Sequence, residues 1–598
     1  MPNDKNGVVL CNGTSCVLNG SQKVKKAFEE HVRAHGLEND VHIELDGCQG
    51  LCTQGPIARI EPKGTIYHRL KAEDIPDIVD EHLIEGHPVE RLVFEGEKGL
   101  DGIEPLNTIG FYQKQRLIVL ANRGSINPNL IEEYIARGGY RALAKALSEM
   151  GPDKIIQEIT DAGLRGRGGA GFPTGVKWNF CRKAPGEEKY VICNADEGDP
   201  GAFMDRSVVE SDPHTVVEGM TIGAYAMGAS QGIVYIRDEY PLALKRILKA
   251  IDDAREYGLL GENIMGSGFS FDITVNRGAG AFVCGEETSL IHSLEGKLPE
   301  PRMRPPFPAN SGYMGKPTNI NNVETWSSVR HIINNGADWF ASIGTEKSKG
   351  TKVFSLVGKL NNTGLVEVPL GITLREMVFD IGGGIPKGKR FKAAQCGGPS
   401  GGCLPESLLD LSIDYESLAE VGAIVGSGGM IVMDEDNCMV EVARFFLSFT
   451  QQESCGKCPP CREGTLHMLN ILTDITNGNG QEGDIELLEE MAMRIKETSF
   501  CALGQTAPNP VLTTIKHFRH EYEAHIKDKR CPAKECKELI TYRIDPEACT
   551  GCTLCAKNCP VDVITGTHKE LHVIDEDKCI KCGMCHNVCN FDAVRIES

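Results

Sequence analysis

The spacing of hydrophobic positions changes from segment to segment along the chain, and it predicts a mixture of strands and helices in several domains. Residues 8–10 and 42–45 are short apolar or alternating runs typical of strands. The segment 21–35 between them has the pattern of a helix. A first unit is therefore predicted over residues 1–90, followed by a charged, glycine-containing linker up to about residue 105.

Strands and helices alternate over residues 105–344, which predicts an α/β module. Its helices are predicted at 153–164, where Ile155 and Ile159 share one face, and at 241–257. Its strands are predicted at residues 116–120, 189–193, 232–236 and 271–275.

Three more units complete a multidomain α/β and α+β fold class. Residues 345–430 resemble a small ubiquitin-like β-grasp domain (SLBB-like), with 352–357 as its first strand. Residues 437–525 predict a helical bundle, and residues 526–598 predict a ferredoxin-like domain.

Composition excludes some classes of function. The chain has 598 residues, 41% of them hydrophobic, and a net charge of −20. An acidic chain disfavours nucleic acid as a partner, because phosphate binding needs a basic face. No apolar run reaches 18 residues, and the N-terminal segment has no apolar stretch, so we expect neither a membrane span nor a signal peptide. A cytoplasmic location is therefore expected.

The chain has 24 cysteines, and most lie in tight groups with short spacers, which is typical of metal ligation in a large chain. Sixteen of them fall into iron–sulfur patterns. The isolated ones are interpreted as small buried hydrophobic residues. These are Cys181, Cys193, Cys284, Cys396, Cys403 and Cys438.

Two pairs of cysteines follow the two strands of the first unit. Cys11 and Cys16 have four residues between them, and Cys48 and Cys52 have three. Four thiolates from two loops suit a 2Fe–2S cluster, and zinc is the alternative that spacing leaves open. The order of the spacings resembles thioredoxin-like ferredoxins, which favours the cluster.

Three 4Fe–4S clusters are predicted in the C-terminal half. In the helical bundle, Cys455, Cys458 and Cys461 share a C-x2-C-x2-C loop, and Cys501 lies forty residues on; structural zinc is the weaker alternative. The last 55 residues contain two bacterial ferredoxin runs, in which the fourth cysteine binds the other cluster. One predicted ligand set is Cys549, Cys552, Cys555 and Cys589, and the other is Cys579, Cys582, Cys585 and Cys559.

His525, Cys531 and Cys536 stand at the predicted junction of the last two domains. Their short spacing is compatible with zinc, whose fourth ligand would be a distant cysteine. The alternative is a surface histidine beside two structural thiols.

A glycine-rich stretch occupies residues 164–180, with five glycines from Gly166 to Gly175. Gly166, Gly168 and Gly171 spell G-x-G-x-x-G, but the dinucleotide fingerprint needs a strand before it and a helix after it. Here a helix is predicted before it and a turn after it, so an ordinary Rossmann site is not expected. Basic and aromatic side chains in the stretch suit a phosphate together with a flat ring.

This stretch resembles the flavin loop of the NADH-oxidising flavoprotein subunit of respiratory complex I. Further motifs match that family in order over residues 105–525. They are CNADEGDPG at 193–201, GAGAFVCGEET at 278–288, PPFP at 305–308, NINNVET at 319–325 and SCGKCPPCREG at 454–464. The resemblance implies FMN as the bound flavin and NAD(H) as the substrate.

The resemblance also implies a role for individual residues. Lys177 and Glu197 are the implied catalytic residues, with Lys177 placing positive charge near the reduced flavin ring. The implied flavin contacts are Gly166, Arg167, Gly168, Lys177, Asn194, Asp196, Gly285, Asn321 and Asn322. The implied contacts of the nucleotide are the aromatic Phe172, Phe180 and Phe307 and the acidic Glu197, Glu286 and Glu287. A carboxylate that accepts ribose hydroxyls favours NAD over NADP, whereas the interpretation of Glu286 and Glu287 as a solvated helix N-terminus stays open.

Three positions depart from the family pattern. Asp199 replaces a glutamate of the complex I subunit, Arg304 replaces the lysine of some members, and Phe282 replaces a tyrosine and removes a hydroxyl near the substrate. These changes concern the substrate side of the site and the preference for NAD.

The full arrangement resembles the flavoprotein (beta) subunit of soluble multimeric iron-only hydrogenases, some of which are NAD- and ferredoxin-linked and bifurcate electrons. This implies an NADH-linked diaphorase that passes electrons between FMN and its clusters. The implied partners are a hydrogenase catalytic subunit, a small thioredoxin-like 2Fe–2S subunit and ferredoxin. The alternatives are a diaphorase subunit of formate dehydrogenase, an NADP-reducing hydrogenase subunit and an electron-transfer scaffold without enzymatic activity.

Overall fold

The computed structural model describes residues 6–94, 110–278 and 280–598. These form two compact units, one made of residues 1–389 and 394–432 and the other of 390–393 and 433–598. Most of the predicted charged linker lies outside the described residues.

The N-terminal domain has the predicted strand–helix–strand start, since its first β-strand, first long helix and second strand all form. Its sheet has the order β2-β1-β3-β4, with β1 parallel to β2 and antiparallel to β3. The elements are β1 Asn6–Cys11, α1 Thr14–Leu18, α2 Ser21–Ala34, β2 Val41–Asp46, β3 Ala58–Glu61, β4 Thr65–Tyr67 and α3 Ile75–Asp77, continued by the π-helix Ile78–Ile84. Val8, Leu10 and Phe28 lie in its core.

The central α/β module is built on a parallel sheet of order β7-β6-β5-β8. Its strands are β5 Tyr190–Ala195, β6 Gln231–Arg237, β7 Asp272–Gly278 and β8 Thr318–Asn322. Its helices are α4 Gly110–Gln113, α5 Ile131–Ala136, α6 Arg141–Glu149, α7 Pro152–Asp161, α8 Thr174–Lys183, α9 Met204–Ser211, α10 Pro213–Met227, α11 Pro241–Glu256, α12 Glu287–Leu294, α13 Val323–Asn335 and α14 Ala337–Ala341. The stacked rings of Trp178 and Trp326, with centroids 5.5 Å apart, lie in the core of this module.

The prediction of a strand at residues 116–120 is wrong. Ile118, Val119 and Leu120 are buried, but their backbone amides do not join a sheet. The amides of Ile118, Val119 and Leu120 donate at 2.9, 3.0 and 2.9 Å to the carboxylate of Glu367, which is itself fully buried. A single carboxylate thus satisfies the donors that a neighbouring strand would otherwise take.

The prediction of a turn after the glycine-rich stretch is also wrong, because α8 begins at Thr174 with Pro173 as its N-cap residue. Proline before a helix has a φ suited to its first turn. The segment before the stretch is the helix α7, as predicted. A strand is therefore missing where the dinucleotide fingerprint requires one, and the exclusion of an ordinary Rossmann site still holds.

The predicted β-grasp segment forms a five-stranded sheet of order β10-β9-β13-β11-β12. Strand β9 pairs antiparallel with β10 and parallel with β13. The elements are β9 Thr351–Gly358, β10 Gly364–Pro369, the π-helix Glu376–Ile381, β11 Phe391–Cys396, β12 Gly402–Pro405, α15 Tyr415–Glu420 and β13 Gly429–Asp434.

The second unit contains the predicted helical bundle and a small two-part β domain. The bundle consists of α16 Met439–Gln452, α17 Pro459–Thr476, α18 Asp484–Thr498, α19 Ala502–Thr506 and α20 Asn509–Lys527. The last domain consists of β14 Thr541–Ile544, α21 Leu554–Lys557, β15 Ile564–Thr565, β16 Val573–Ile574, α22 Met584–Asn587 and β17 Val594–Glu597, with β14 paired to β17 and β15 to β16. The predicted multidomain α/β and α+β fold class is confirmed. Among the helices of the described residues, none has a stretch long and apolar enough to cross a membrane.

Candidate functional site

The glycine-rich loop lies between α7 and α8, and backbone hydrogen bonds fold it back on itself. The amide of Gly166 donates to the carbonyl of Phe172 (2.9 Å), and the amide of Thr174 donates to that of Leu164 (2.8 Å). A Cβ on Gly168 would lie 3.0 Å from the Cβ of Asn322. Glycine at position 168 therefore lets the loop backbone approach the end of β8 closely.

A helix of the β-grasp domain braces the loop from outside. The Tyr415 hydroxyl donates to the carbonyl of Gly166 (3.0 Å), and the guanidinium of Arg165 lies 4.2 Å from the centre of the Tyr415 ring. Arg165 also pairs with Glu416 at 2.5 Å. Gly171 has a φ of +61°, and a Cβ there would lie 2.7 Å from the Tyr415 ring. The loop is thus preorganised by tertiary contacts.

Arg167 holds the loop from the inside. Its residue is 1% exposed, and its guanidinium donates to the carbonyls of Thr351 (3.0 Å), Lys349 (2.6 Å) and Arg165 (2.9 Å). Its backbone amide donates to the Thr325 hydroxyl (2.9 Å). Contact of Arg167 with a flavin stays a prediction, and the structure gives its side chain the task of fixing the loop conformation.

The predicted asparagines meet at the carboxyl ends of β5 and β8. Asn194 lies opposite Asn322 in the parallel pairing, and its amide nitrogen donates to the carbonyl of Gly285 (2.9 Å). The side-chain oxygen of Asn321 accepts from Trp178 Nε1 (2.9 Å) and is buried with it. Ligands in open α/β sheets bind at this edge, so these residues stand where a flavin would be expected.

Lys177 reaches the same edge from α8. Its ammonium donates to the carbonyl of Ile320 (2.5 Å) and forms an ion pair with Glu287. Its side chain is 19% exposed and that of Glu287 is 29% exposed, so both remain accessible to a ligand. The pair places a fixed positive charge next to an acidic group at the end of the sheet.

Two of the predicted acidic residues cap helices. The Glu286 carboxylate accepts from the amides of Thr288 (2.9 Å) and Ser289 (3.0 Å) at the start of α12. The buried Glu197 carboxylate accepts from the amides of Asp205 (3.1 Å) and Arg206 (3.2 Å) at the start of α9. Burial raises the pKa of Glu197, against the effect of these two amides. Acids at helix N-termini are stabilised by the helix dipole, so both have a structural role in addition to any role in binding.

Asp205 is a residue of this site that the sequence reasoning missed. Its carboxylate accepts from the side-chain amide of Asn322 (2.5 Å), and burial together with the charge of Glu197 raises its pKa well above the ordinary value. It stands four residues after the matched motif at 193–201, and this proximity was the only signal in the sequence.

The three predicted aromatic residues have accessible rings. Phe172, Phe180 and Phe307 are 48%, 52% and 56% exposed. Exposed large rings are suited to stacking on a base or a nicotinamide.

Two of the residues that differ from the family pattern, Asp199 and Phe282, are packed against neighbouring groups. Burial raises the pKa of Asp199 to about 6, and the Ser427 hydroxyl donates to its carboxylate. A Cβ on Gly198 would lie 2.6 Å from the ring of Phe282, so this ring covers the Glu197–Asp199 turn. The aspartate and the phenylalanine are therefore both packed at the Glu197–Asp199 turn.

The four predicted N-terminal ligands line one cavity, to which Cys11, Cys16, Cys48 and Cys52 all contribute. Cys16 and Cys48 are the largest influences that raise the pKa of Cys11. A Cβ on Gly55 would lie 2.7 Å from the sulfur of Cys16. Four sulfurs around a space kept open by glycine fit a 2Fe–2S cluster.

The last domain contains two cavities, each lined by four cysteines. Cys549, Cys552, Cys555 and Cys589 line one, and Cys559, Cys579, Cys582 and Cys585 line the other. The fourth cysteine of each run thus joins the cavity of the other run, as the spacing predicts. In the bundle, burial raises the pKa of Cys461 to about 11. The charges of the neighbouring Cys458, Cys501 and Cys455 act in the same direction. These sets fit three 4Fe–4S clusters.

A further group of four ligand residues lies buried in the second unit. His525, Cys531 and Cys536 meet Cys438, and their ligand atoms all lie within 4.8 Å of one another. His525 Nε2 is 3.4 Å from the Cys438 sulfur and 3.3 Å from that of Cys536, while its Nδ1 contacts the carbonyl of Glu521 at 2.7 Å. The interpretation of His525 as a surface residue is wrong, because it is fully buried. Cys438 is buried, as predicted, but it is not isolated, since it completes a Cys3His set of the kind that binds zinc.

Family models match four parts of the chain. They are a thioredoxin-like [2Fe-2S] ferredoxin over residues 1–83, the Nuo51 FMN-binding domain over 159–331, the NADH-ubiquinone oxidoreductase-F iron-sulfur binding region over 441–525 and a 4Fe-4S dicluster domain over 541–590.

Similar proteins match over most of their length. The NADP-reducing hydrogenase subunit HndC of Solidesulfovibrio fructosivorans is 60% identical over 81% of this chain and 98% of that protein. The F 2 subunit of the NADH-quinone oxidoreductase of Rhizobium meliloti is 48% identical over 69% of this chain and 99% of that protein. The crystal structure of an NAD+-reducing [NiFe]-hydrogenase in the H2-reduced state is similar with a TM-score of 0.62 and 31% identity, covering 88% of this chain and 85% of that one.

Proposed function

Because the chain belongs to the family of FMN- and iron–sulfur-containing flavoprotein subunits that includes HndC and the F subunits of NADH-quinone oxidoreductases, we propose that it is the diaphorase subunit of a hydrogenase complex. It is an oxidoreductase with an FMN-binding domain, a 2Fe–2S domain and 4Fe–4S regions. In the proposed complex it exchanges electrons between NAD(H) and a partner chain that carries out the hydrogen chemistry.

One observation carries the proposal: the glycine loop, the paired asparagines and Lys177 converge on one edge of the parallel sheet. When bound there, FMN supplies the chemistry that joins hydride exchange with NADH to one-electron transfer by the clusters. Backbone groups of Gly166 and Gly168 and the side chains of Asn194 and Asn322 would hold the flavin. Gly285, Asp196 and Asn321 complete the proposed flavin contacts.

Lys177 and Glu197 have the central positions in the proposed reaction. The Lys177 ammonium would stabilise negative charge on the reduced ring, and Glu287 keeps that ammonium in place. Glu197 accepts from the backbone amide of Asp205, and its buried carboxyl group orients the start of α9. Phe172, Phe180 and Phe307 would stack on the rings of the nucleotide.

The clusters are proposed on the cysteine sets described above, with Cys11, Cys16, Cys48 and Cys52 holding the 2Fe–2S cluster. Zinc is proposed on Cys438, His525, Cys531 and Cys536. Proposed partners are an iron-only hydrogenase catalytic subunit, a small thioredoxin-like 2Fe–2S subunit and ferredoxin, with electron bifurcation as the finer proposal. We place the complex in the cytoplasm.

The flavin site is tested by the purified chain, which should contain FMN and oxidise NADH with an artificial acceptor. Lys177→Ala should lose flavin or reduce the NADH-to-dye rate at equal flavin content. Lys183→Ala removes an exposed lysine from the same helix and is the matched control. Unchanged flavin content and rate in Lys177→Ala would contradict the assigned site.

Reaction with NADP(H) is a second candidate that one observation favours. Glu287 is paired with Lys177, and Glu286 lies 3.8 Å from the guanidinium of Arg304, so a positive charge beside each carboxylate offsets its repulsion of a 2′-phosphate. Comparing kcat/KM for NADH and NADPH decides between the two nucleotides. Copurification from the native organism decides between a hydrogenase partner and a formate dehydrogenase partner.

A further inference from the structure

Helix α9 of the central module forms one wall of the N-terminal cysteine cavity. Besides the four cysteines, this cavity is lined by Phe203, Arg206, Ser207 and Glu210, which belong to α9 or directly precede it. The cavity is therefore built from two domains, although all of its cysteines belong to the first.

Close contacts fix this wall against the cysteine loops. The Glu210 carboxylate accepts from the amide of Thr14 (3.0 Å) and from the hydroxyl of the same residue. The buried guanidinium of Arg246 donates to the carbonyl of Asn12 (3.1 Å) and to that of Glu210. A Cβ on Gly47 would lie only 2.6 Å from the Cβ of Ser211, so the helix packs against the backbone of the loop that carries Cys48.

Ser207 stands at the centre of this wall and is 2% exposed. Its hydroxyl oxygen has no hydrogen-bond partner within the described parts of the chain. Ser207 lines the same cavity as Cys48. The pKa of Cys48 is held well below its ordinary value, mainly by Cys11 and Cys52 and to a smaller extent by the Ser207 side chain. A buried hydroxyl that lines a cysteine cavity and lacks any partner is an unusual feature, because buried donors are nearly always satisfied.

We propose that Ser207 donates a hydrogen bond to the Cys48 thiolate of the bound 2Fe–2S cluster and thereby raises the reduction potential of that cluster. Reduction adds one negative charge to the cluster and its ligands, and a donor aimed at a ligand sulfur stabilises the more negative state. Ser207 is thus a positioning residue that acts through Cys48. The inference rests on the cluster ligands given under the proposed function.

Helix α9 also contacts the proposed flavin site. The potential of the cluster is therefore set beside the group with which it would exchange electrons. The first amides of α9 donate to Glu197, and Asp205 accepts from Asn322, a proposed flavin contact. Ser207 follows Asp205 by two residues. One eight-residue helix therefore has its start at the flavin cradle and its buried face at the cluster cavity.

The test is a redox titration of the full chain, followed by electron paramagnetic resonance of the reduced 2Fe–2S cluster. At the potential where the wild-type cluster is half reduced, Ser207→Ala should show a several-fold lower ratio of reduced to oxidised cluster. A tenfold change of this ratio corresponds to 59 mV for a one-electron couple. Ser207→Thr keeps the hydroxyl and should stay close to the wild type, and Ser207→Cys, a weaker donor, should lie between.

Two controls separate an effect of the Ser207 hydroxyl on the cluster potential from a change in the packing of α9. Ser211→Ala removes a buried hydroxyl one turn later that bonds to the carbonyl of Ser207, and it should leave the potential unchanged. The electron paramagnetic resonance of the wild-type cluster should contain a proton hyperfine coupling that disappears on transfer to deuterated buffer. Ser207→Ala should lack this coupling.

The outcomes are distinguishable. An unchanged potential and an unchanged proton coupling in Ser207→Ala, with flavin and 4Fe–4S signals intact, would overturn the proposal. If Ser207→Ala fails to assemble the cluster, the order of potentials among wild type, Ser207→Thr and Ser207→Cys decides, and equal potentials refute it. Absence of a 2Fe–2S signal from the wild type would instead refute the ligand assignment.

Discussion

Removing the buried lysine Lys352 should strongly destabilise the flavin-binding module. The Lys352 ammonium pairs with Glu324, and the two side chains are 0% and 1% exposed. Glu324 also accepts from the amide of Val353 (2.9 Å) and follows Asn322 by two residues. The pair thus ties the first strand of the β-grasp domain to the helix that starts at the proposed flavin site.

The expected magnitude follows from the burial of the pair. Lys352→Met leaves the Glu324 carboxylate buried without its counter-charge, and breaking a buried ion pair in this way costs about 3–5 kcal/mol. For a module of this size, about 2 °C of Tm is lost per kcal/mol, so the melting temperature should fall by roughly 6–10 °C.

The assay is thermal release of the flavin, followed by the rise in its fluorescence. Lys316→Met is the matched control, since Lys316 forms an exposed pair with Glu188 at 3.2 Å with both side chains 47% exposed. An exposed pair contributes at most about 1 kcal/mol, so this variant should melt within about 2 °C of the wild type. The double change Lys352→Met with Glu324→Gln removes both charges and should recover most of the loss. The reasoning is refuted if Lys352→Met melts no earlier than Lys316→Met.

Three more predictions concern the metals and the pH dependence. Cys438→Ser should lower the zinc content measured by elemental analysis from about one atom per chain towards zero, whereas the control Cys181→Ser should retain it; zinc retained in Cys438→Ser would contradict the four-residue site. Iron analysis should give about fourteen atoms per chain, and Cys16→Ser should remove only the 2Fe–2S resonance; loss of a 4Fe–4S signal instead would contradict the ligand assignment. Burial raises the pKa of Asp212 to about 6, so the folded state holds a proton there that the unfolded state releases near pH 4, and stability from this group falls as pH rises from 4 to 6. Asp212→Asn should therefore gain up to about 3 kcal/mol relative to the wild type between pH 4 and pH 7 in urea unfolding, and a constant difference would exclude this titration.

Local spacing predicted which cysteines share the three described cavities, because most of those cysteines lie in short loops whose geometry the spacers restrict. The exchange of Cys559 and Cys589 between the two ferredoxin cavities follows from such spacing. Cys438 shows where this reasoning ends. It stands 87 residues before His525, and only the packing of the bundle helices brings the two side chains together.

The wrong strand at residues 116–120 has a similar cause. An apolar run predicts burial, and burial is what the structure shows for Ile118, Val119 and Leu120. What the sequence does not contain is the partner of the buried amides, since Glu367 lies almost 250 residues away along the chain. Hydrophobic pattern therefore predicted the environment of the segment, while its backbone conformation depended on a distant carboxylate.

Variants of the acidic residues at the proposed nucleotide site should be checked for folding and flavin content before their kinetics are interpreted. Glu197 and Glu286 cap helices α9 and α12, and Glu287 holds Lys177. Loss of a helix cap costs about 0.5–2 kcal/mol, so an alanine variant at either capping position changes the fold locally before it changes recognition of the nucleotide. A raised KM in such a variant is evidence for nucleotide binding only when flavin content and melting temperature are unchanged. Because glutamine keeps the side-chain oxygen that accepts the helix amides and loses only the charge, Glu197→Gln and Glu286→Gln are the variants that separate the two roles.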